Sequence, residues 1–335
     1  MSRATHAPDI AALTVDARRL WRGEAVWDGP LCFVDLGATT DEPGDPVLPP
    51  CPVVGLGEPG HPFARHLDAV IEPPVSARRL AGQVLASPVA SGVIAQLLRV
   101  LPSLSVAEGL TVESLAYGLL QGSAEHRGWI AALRAAPPAA RAPGEVLLER
   151  KGARLVVTLG HPESGNAIDR QMRDQLYDAF TLAALDPEIR RVSLRGAGRT
   201  FSLGAELGEF GTTRDPATAH AIRALTLPAR VLARIADRLD VHVQGGCAGS
   251  GLEMAAYAAR LTASPNAWFQ LPELSMGILP GAGGCVSLTR RIGRQRAALL
   301  ILSGKRLSAR QALGWGLIDA IVDQPPGDEG GADVG

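Results

Sequence analysis

At 335 residues with 46% apolar side chains, the sequence is long enough for one large or two ordinary domains and can supply a sizeable core. Its formal charge of -1 excludes binding driven by a nucleic-acid backbone, and it excludes a polybasic membrane-surface protein. Cys32, Cys51, Cys247 and Cys285 have neither CxxC spacing nor neighbouring histidines at zinc spacing, so free buried thiols in a reducing compartment are expected.

The opening MSRATHAPDIAALT lacks a basic start followed by an apolar run, and no apolar stretch reaches bilayer length, so the expectation is a cytoplasmic protein. LCFVDLG from Leu31 and PVVGLG from Pro52 read as short strands bounded by Gly and Pro. Two long helices are expected next. The first runs from Ser76, a plausible N-cap, to Leu101, with Leu80, Val84, Ile94 and Leu97 at helical spacing; the second covers Val112 to Leu133. The run AAPPAARAPG from Ala135 breaks this pattern, which places a linker at 139–144 after an N-terminal region of residues 1–138.

Beyond the linker, EVLLER and ARLVVTL read as a strand pair, Asp169 to Leu185 as a helix and RVSLRG as a buried strand. A helix over Ala217 to Arg238, the strand LDVHVQ, a glycine-rich turn and another helix follow. Strands alternating with helices imply an α/β architecture. Residues 324–335, rich in glycine and acid, are expected to form a disordered tail. LDAVIEPP from Leu67 and IDAIVDQPP from Ile318 share a strand, two acids and a proline pair, a sign of partial internal duplication.

The stretch richest in chemistry is QGGCAGSGLEM, from Gln244 to Met254. Its glycines allow a sharp turn and close approach to a ligand, and the helix it opens aims unpaired N–H groups at that ligand, where an oxyanion could develop. Glu253 falls in the first turn of this helix, where an acid is also favoured simply by the helix dipole. Glu273, in FQLPELSMGILPGAGG, follows an apolar strand and a proline; alone it would read as a solvated loop acid.

Taken with GRTFSLGAEL from Gly198, these stretches resemble the enoyl-CoA hydratase and isomerase family, the crotonase superfamily. The resemblance starts at HPESGNAID, with Pro162, Asn166 and Ala167, passes through the two segments above and PELSMGILPGAGG, and ends in SGKRLSARQALGWGLIDAIV. It covers about residues 145–323, implying a catalytic α/β domain with the ClpP/crotonase spiral of ββα units, here preceded by an additional mainly helical N-terminal region. It also implies that the N–H groups of Ala205 and Ser250 form an oxyanion hole for a thioester carbonyl, each donor contributing roughly 3 to 4 kcal/mol. Substrate contacts would fall at Gly204, Gly249, Gly251, Pro280 and Gly281.

By the same resemblance Glu253 and Glu273 are the acid pair of hydrating members: they hold a water between them, Glu273 exchanges its proton with substrate and Glu253 orients or activates the attacking oxygen. Two acids in one desolvated cleft imply that at least one has a raised pKa. The implied activity is hydration of a 2-enoyl-CoA, with coenzyme A as part of the substrate and no resident cofactor or metal. The alternatives are isomerisation, dehydration or C–C hydrolysis at the same hole, or a non-catalytic acyl-CoA binder. Family analogy implies a homo-oligomer, trimer or hexamer. Ser250 stands where the family usually has glycine, Glu163 where it is often basic, and with only Lys151 and Lys305 as lysines the coenzyme phosphates would depend on arginines.

Family members continue past the strand matching GLIDAIV into helices that cover the site. The helical patterns upstream of the linker resemble that segment, so the N-terminal region is expected to be a vestigial or permuted second unit, itself without catalytic residues, whose helices take that place. Gly55, Gly57 and Gly60 satisfy GxGxxG, but Pro59 and Pro62 interrupt the helix a dinucleotide needs, so a turn is expected. His242 is expected to be a packed, hydrogen-bonded core residue, and Arg290, Arg291, Arg294 and Arg296 an exposed basic helix face rather than phosphate ligands.

Overall fold

The computed structural model describes residues 7–21, 29–39, 46–138 and 141–324. The tail from residue 325 and linker residues 139 and 140 lie outside the described residues. The N-terminal part opens with β1 (Thr14–Val15), α1 (Ala17–Trp21), β2 (Cys32–Asp35), β3 (Val53–Leu56) and β4 (Ala69–Val70), followed by helices α2 (Ala77–Ala86), α3 (Pro88–Val100), α4 (Val106–Gln121) and α5 (Ala124–Ala135). The second part contains β5 (Val146–Lys151), β6 (Arg154–Leu159), α6 (Arg170–Leu185), β7 (Arg191–Gly196), α7 (Pro216–Thr226), α8 (Pro228–Leu232), β8 (Leu239–Val243), β9 (Gly246–Ala248) and α9 (Ser250–Ala255). It closes with β10 (Arg260–Ala263), β11 (Trp268–Gln270), α10 (Gly284–Ser303), β12 (Leu307–Ser308), α11 (Ala309–Gly314) and β13 (Ala320–Ile321).

Three expected long helices are each broken, and the sequence supplies the reason. Pro88 and Pro228 lack the N–H that would continue a helix, so each starts a new one at its first position. The helix expected at 112–133 is α4 and α5, separated at Gly122, with Ser105 and Ser123 capping the two N-termini through their side chains. Ser105 and Glu108 make a reciprocal capping box.

The second half is built on a six-stranded sheet of order β13-β10-β8-β7-β6-β5, parallel except for the β5–β6 hairpin, with a smaller sheet β12-β11-β9 beside it. The N-terminal sheet has four parallel strands in the order β1-β2-β3-β4. Alternation along β2 sends Phe33 into the main core and Cys32 and Val34 into a small second core with Leu20, Phe63 and Leu67. The main core is continuous across both halves: Leu80, Val84, Ile94 and Leu98 of the N-terminal helices share it with Leu194, Val241 and Leu299. Helix α10 is the central post, in contact with α2, α3, α4 and β4 on one side and α9 on the other.

The two similar proline-terminated segments adopt the same joint. The carboxylate of Asp68, just before β4, accepts the Val53 N–H at 2.8 Å, and that of Asp319, just before β13, accepts the Leu261 N–H at 2.6 Å. In each case the acid satisfies a backbone donor at the start of the neighbouring parallel strand.

Arg290 is exposed as expected, but Arg291, Arg294 and Arg296 are partly buried rather than a solvated face. Arg294 bonds Asp68 and the Leu67 carbonyl, Arg296 bonds both oxygens of Glu72, and Arg290 reaches the Leu104 carbonyl. Arg291 bonds Asp319 and the Leu317 and Ala258 carbonyls. Guanidinium forks suit carbonyls that sheet and helix ends leave unpaired, so Arg290, Arg294 and Arg296 stitch the two halves together while Arg291 ties down the second half alone. The glycine pattern at Gly55, Gly57 and Gly60 leads from β3 into a short 3-10 turn at Pro62–His66, as the prolines require. His242 is buried, with Nδ1 3.0 Å from the Thr262 hydroxyl and Nε2 3.2 Å from that of Ser264. All four cysteines are free and buried. No single helix among the described residues is long and apolar enough to cross a membrane.

Candidate active site

Asn166 organises the first wall of the site. It adopts a left-handed φ of 54°, a conformation Asn tolerates better than most residues, and its side-chain amide donates to the carbonyls of Ala197, Thr200 and Phe201. Its Oδ1 accepts the His161 N–H. One buried side chain thus fixes the loop that leads to Gly204 and Ala205. Ser202 extends the brace, its hydroxyl donating to the Asn166 carbonyl at 2.8 Å and accepting the Gly204 N–H at 3.2 Å.

The second wall is the turn between β9 and α9. Gly249 has φ +47°, and a β-carbon there would sit 2.8 Å from Glu273 Oε1, so only glycine fits. A β-carbon on Gly204 would meet the Ala248 carbonyl oxygen at 3.1 Å and Gly249 Cα at 3.4 Å; the two turns are in backbone contact. Ser250 is the first residue of α9, where its N–H has no partner within the helix, and the Ala205 N–H likewise donates to no backbone acceptor among the described residues. Both residues line a cavity of about 560 Å³.

Glu253 and Glu273 line the same cavity, with 2% and 8% of their surfaces exposed. Their surroundings differ. Glu253 Oε2 accepts the N–H groups of Ala282 and Gly284 at 2.6 and 2.9 Å. Burial pushes its carboxyl up to about 7, while those two amides pull in the opposite direction by favouring the ionised form. Glu273 lies on a 3-10 turn after Pro272, and its Oε2 has no hydrogen-bond partner. Burial, and then the neighbouring Glu253 charge, raise its carboxyl well above the ordinary range. The two acids are therefore biased toward opposite protonation states.

Of the expected substrate contacts, Gly281 lines the cavity, whereas Gly204, Gly249, Gly251 and Pro280 are not among its lining residues. Gly251 is a packing position, since a β-carbon there would come within 2.6 Å of Ser202 Cβ. Gly204 and Gly249 permit the backbone approach already described.

The N-terminal half contributes residues that the sequence did not single out. Tyr117 and Gln121 of α4 line the cavity, and Glu113 stands one turn before Tyr117. Spacing of four places all three on one face of α4. A β-carbon on Gly281 would fall 2.2 Å from the Tyr117 ring, so this glycine is the seat of that ring. Arg223 of α7 stacks over the opposite side of the arrangement, its guanidinium 4.5 Å from the Tyr117 ring centre, and bonds Ser114 and Gln121. Glu113 is 1% exposed; its Oε1 accepts the Gly283 N–H at 2.7 Å and its Oε2 the Val286 N–H at 3.2 Å.

The remaining walls are largely apolar, including Phe210, Ile222, Leu227, Met254 and Ile278, with Arg170 and Arg173 supplying positive charge from the first turn of α6. No group of three or more His, Cys, Asp or Glu side chains among the described residues is placed to hold a metal ion. Buried amides beside paired carboxyls in an apolar cleft suit stabilisation of a carbonyl-derived anion together with proton transfer.

Comparison with known proteins agrees with this chemistry. The family described as enoyl-CoA hydratase/isomerase matches residues 149–326. The 2,3-dehydroadipyl-CoA hydratase of Escherichia coli is 34% identical over 177 residues, covering 53% of this chain and 69% of that protein. A mevalonyl-coenzyme A hydratase of Beauveria bassiana is 34% identical over 178 residues, covering 51% of this chain and 64% of that protein. Among solved structures, a Mycobacterium abscessus protein described as an enoyl-CoA hydratase/isomerase superposes with a TM-score of 0.50 at 31% identity, over 54% of this chain and 71% of that one. The matched part of this chain carries the crotonase-like fold, and the chain belongs to the enoyl-CoA hydratase/isomerase family.

Proposed function

We propose that this protein adds water across the double bond of a 2-enoyl-CoA. The observation that carries the reading is the pair of buried carboxyls, Glu253 with two amide donors and Glu273 with a bare oxygen, facing one cavity with the free amides of Ala205 and Ser250. The thioester oxygen accepts from those two amides, which stabilise the enolate as it forms. Ionised Glu253 takes a proton from water as the oxygen attacks C3, and protonated Glu273 delivers a proton to C2. Water is consumed, and no electron leaves the substrate. The protons on the two carboxyls are restored by exchange before the next turnover.

The coenzyme enters as part of the substrate, and the reaction as written draws on no resident cofactor or metal. Arg170 and Arg173 are the cations at hand for the coenzyme phosphates, while the apolar walls receive the acyl chain. The free thiols suit a reducing, cytoplasmic setting, and family analogy supports a homo-oligomer, to be measured by sedimentation. The decisive experiment offers crotonyl-CoA and longer enoyl thioesters and follows the conjugated absorbance. Turnover should fall by roughly 10² to 10⁴ in both Glu253→Gln and Glu273→Gln. Thioester binding without any absorbance change in the wild type would replace hydration with a binding role.

A further inference from the structure

Helix α10 begins without a side-chain cap of its own: its N-cap is Gly283, at φ +101°. The unpaired amides at such an end need outside acceptors. Here two carboxylates from different halves of the chain divide them. Glu253 takes Ala282 and Gly284; Glu113 takes Gly283 and Val286. The two acids thus hold alternate rungs of one turn. That turn contains Gly283 and Gly284, which resist rearrangement little, and a β-carbon on Gly284 would lie only 2.7 Å from Glu253 Oε2. Without the second acid, the amides of Gly283 and Val286 would lose their acceptors, and Glu253, already bonded to Ala282 and Gly284 of the same turn, is placed to take them with its other oxygen.

We infer that Glu113 is a positioning residue for the hydration: by holding the Gly283 and Val286 amides it leaves one oxygen of Glu253 free to face the substrate water. The inference rests on the hydration reading above. Its placement explains why a fully buried acid sits on α4 one turn from Tyr117, which closes over Gly281 at the other end of the same turn. A helix that only packed would carry an apolar residue there. Glu113 is not itself among the residues that line the cavity, so its effect on the site runs through the turn it shares with Glu253.

The test uses the full-length protein with Glu113→Gln, which preserves shape and one acceptor, and Glu113→Ala, which removes both. With crotonyl-CoA, kcat should fall about 10-fold in the first and about 100-fold in the second, with KM within about threefold of wild type. Amide exchange of residues 282–286, measured by hydrogen–deuterium mass spectrometry, should accelerate in both variants. Exchange elsewhere in α10 and the melting curve of the Gln variant should remain close to wild type. Unchanged kcat in folded Glu113→Gln would overturn the inference, as would a loss of kcat that only follows loss of folded protein. If the wild type itself leaves crotonyl-CoA untouched, the hydration reading fails first. The exchange comparison still decides whether Glu113 holds the turn, and unchanged exchange overturns that too.

Discussion

The two parallel sheets of this molecule end in the same joint and do different work. In the second half, Asp319 closes a sheet whose connections carry the turns at Gly204 and Gly249 and both cavity glutamates. In the N-terminal half, Asp68 closes a smaller sheet with no such turns, yet it is the more deeply set of the two, with its side chain 2% exposed against 46% for Asp319. Arg99 and Arg294 both pair with Asp68, one from each half of the chain; among the described residues Arg291 alone pairs with Asp319. The smaller sheet is thus an anchor. It fixes the origin of α2 to α5, and α4 then presents Glu113, Tyr117 and Gln121 to the site next door.

The strongest way to break this comparison is to remove residues 1–138. If the N-terminal half is an anchor within a shared core, the remainder should fail to accumulate as soluble folded protein, because α10 would expose the apolar face that α2, α3 and α4 cover. A soluble, fully active fragment judged by circular dichroism and turnover would make that half dispensable.

Asparagine at the two joints sharpens the contrast. Asp68→Asn leaves two partly buried guanidiniums without a counter-charge and should cost about 3 kcal/mol in chemical denaturation. Asp319→Asn weakens a half-exposed pair and should cost about 1 kcal/mol. Equal losses would remove the distinction between anchor and closure.

Gly281→Ala probes the contact between halves. Its β-carbon would strike the Tyr117 ring, an overpacking expected to cost about 1 to 3 kcal/mol and to lower kcat/KM. In a Tyr117→Ala background the same substitution should cost much less than it does in the wild type, because the clash then has no second partner. An equal cost in both backgrounds would place the effect in the turn itself.

Acidity gives the gentlest test. Glu113, Glu253 and Glu273 all have folded-state pKa values above the ordinary carboxyl range, chiefly through burial. The folded protein therefore binds more protons than the unfolded chain above pH about 4.5, and stability should decline as pH rises from there through about 7. The slope should be shallower in Glu113→Gln. Turnover should instead rise as Glu253 ionises near pH 7, then fall at higher pH as Glu273 loses its proton. Stability and activity moving together across this range would contradict the assigned protonation states.

What could be read from the sequence was local. QGGCAGSGLEM and GRTFSLGAEL state their own turns, because positions such as Gly249 and Gly204 admit no other residue, and the two glutamates sit beside them. The broken helices were marked by Pro88, Pro228 and Gly122, and were misjudged because apolar periodicity runs across those residues. Glu113 was hidden by separation: its partner Gly283 lies 170 residues away, and nothing in VAEGLTVESLAYGLLQ names that turn. The α10 arginines were misread for a related reason. A cation on a helix is ordinarily solvated, and only the folded chain reveals the distant carbonyls that Arg291 and Arg294 reach.

The shared post α10 also governs the order in which the molecule can be made. Synthesis delivers α2 to α5 well before residues 284–303, so Leu80, Val84, Ile94 and Leu97 emerge before the largest of the helices that cover them. Until α10 leaves the ribosome the nascent chain is adhesive, and a chaperone or slow translation beyond the linker would guard it during that interval.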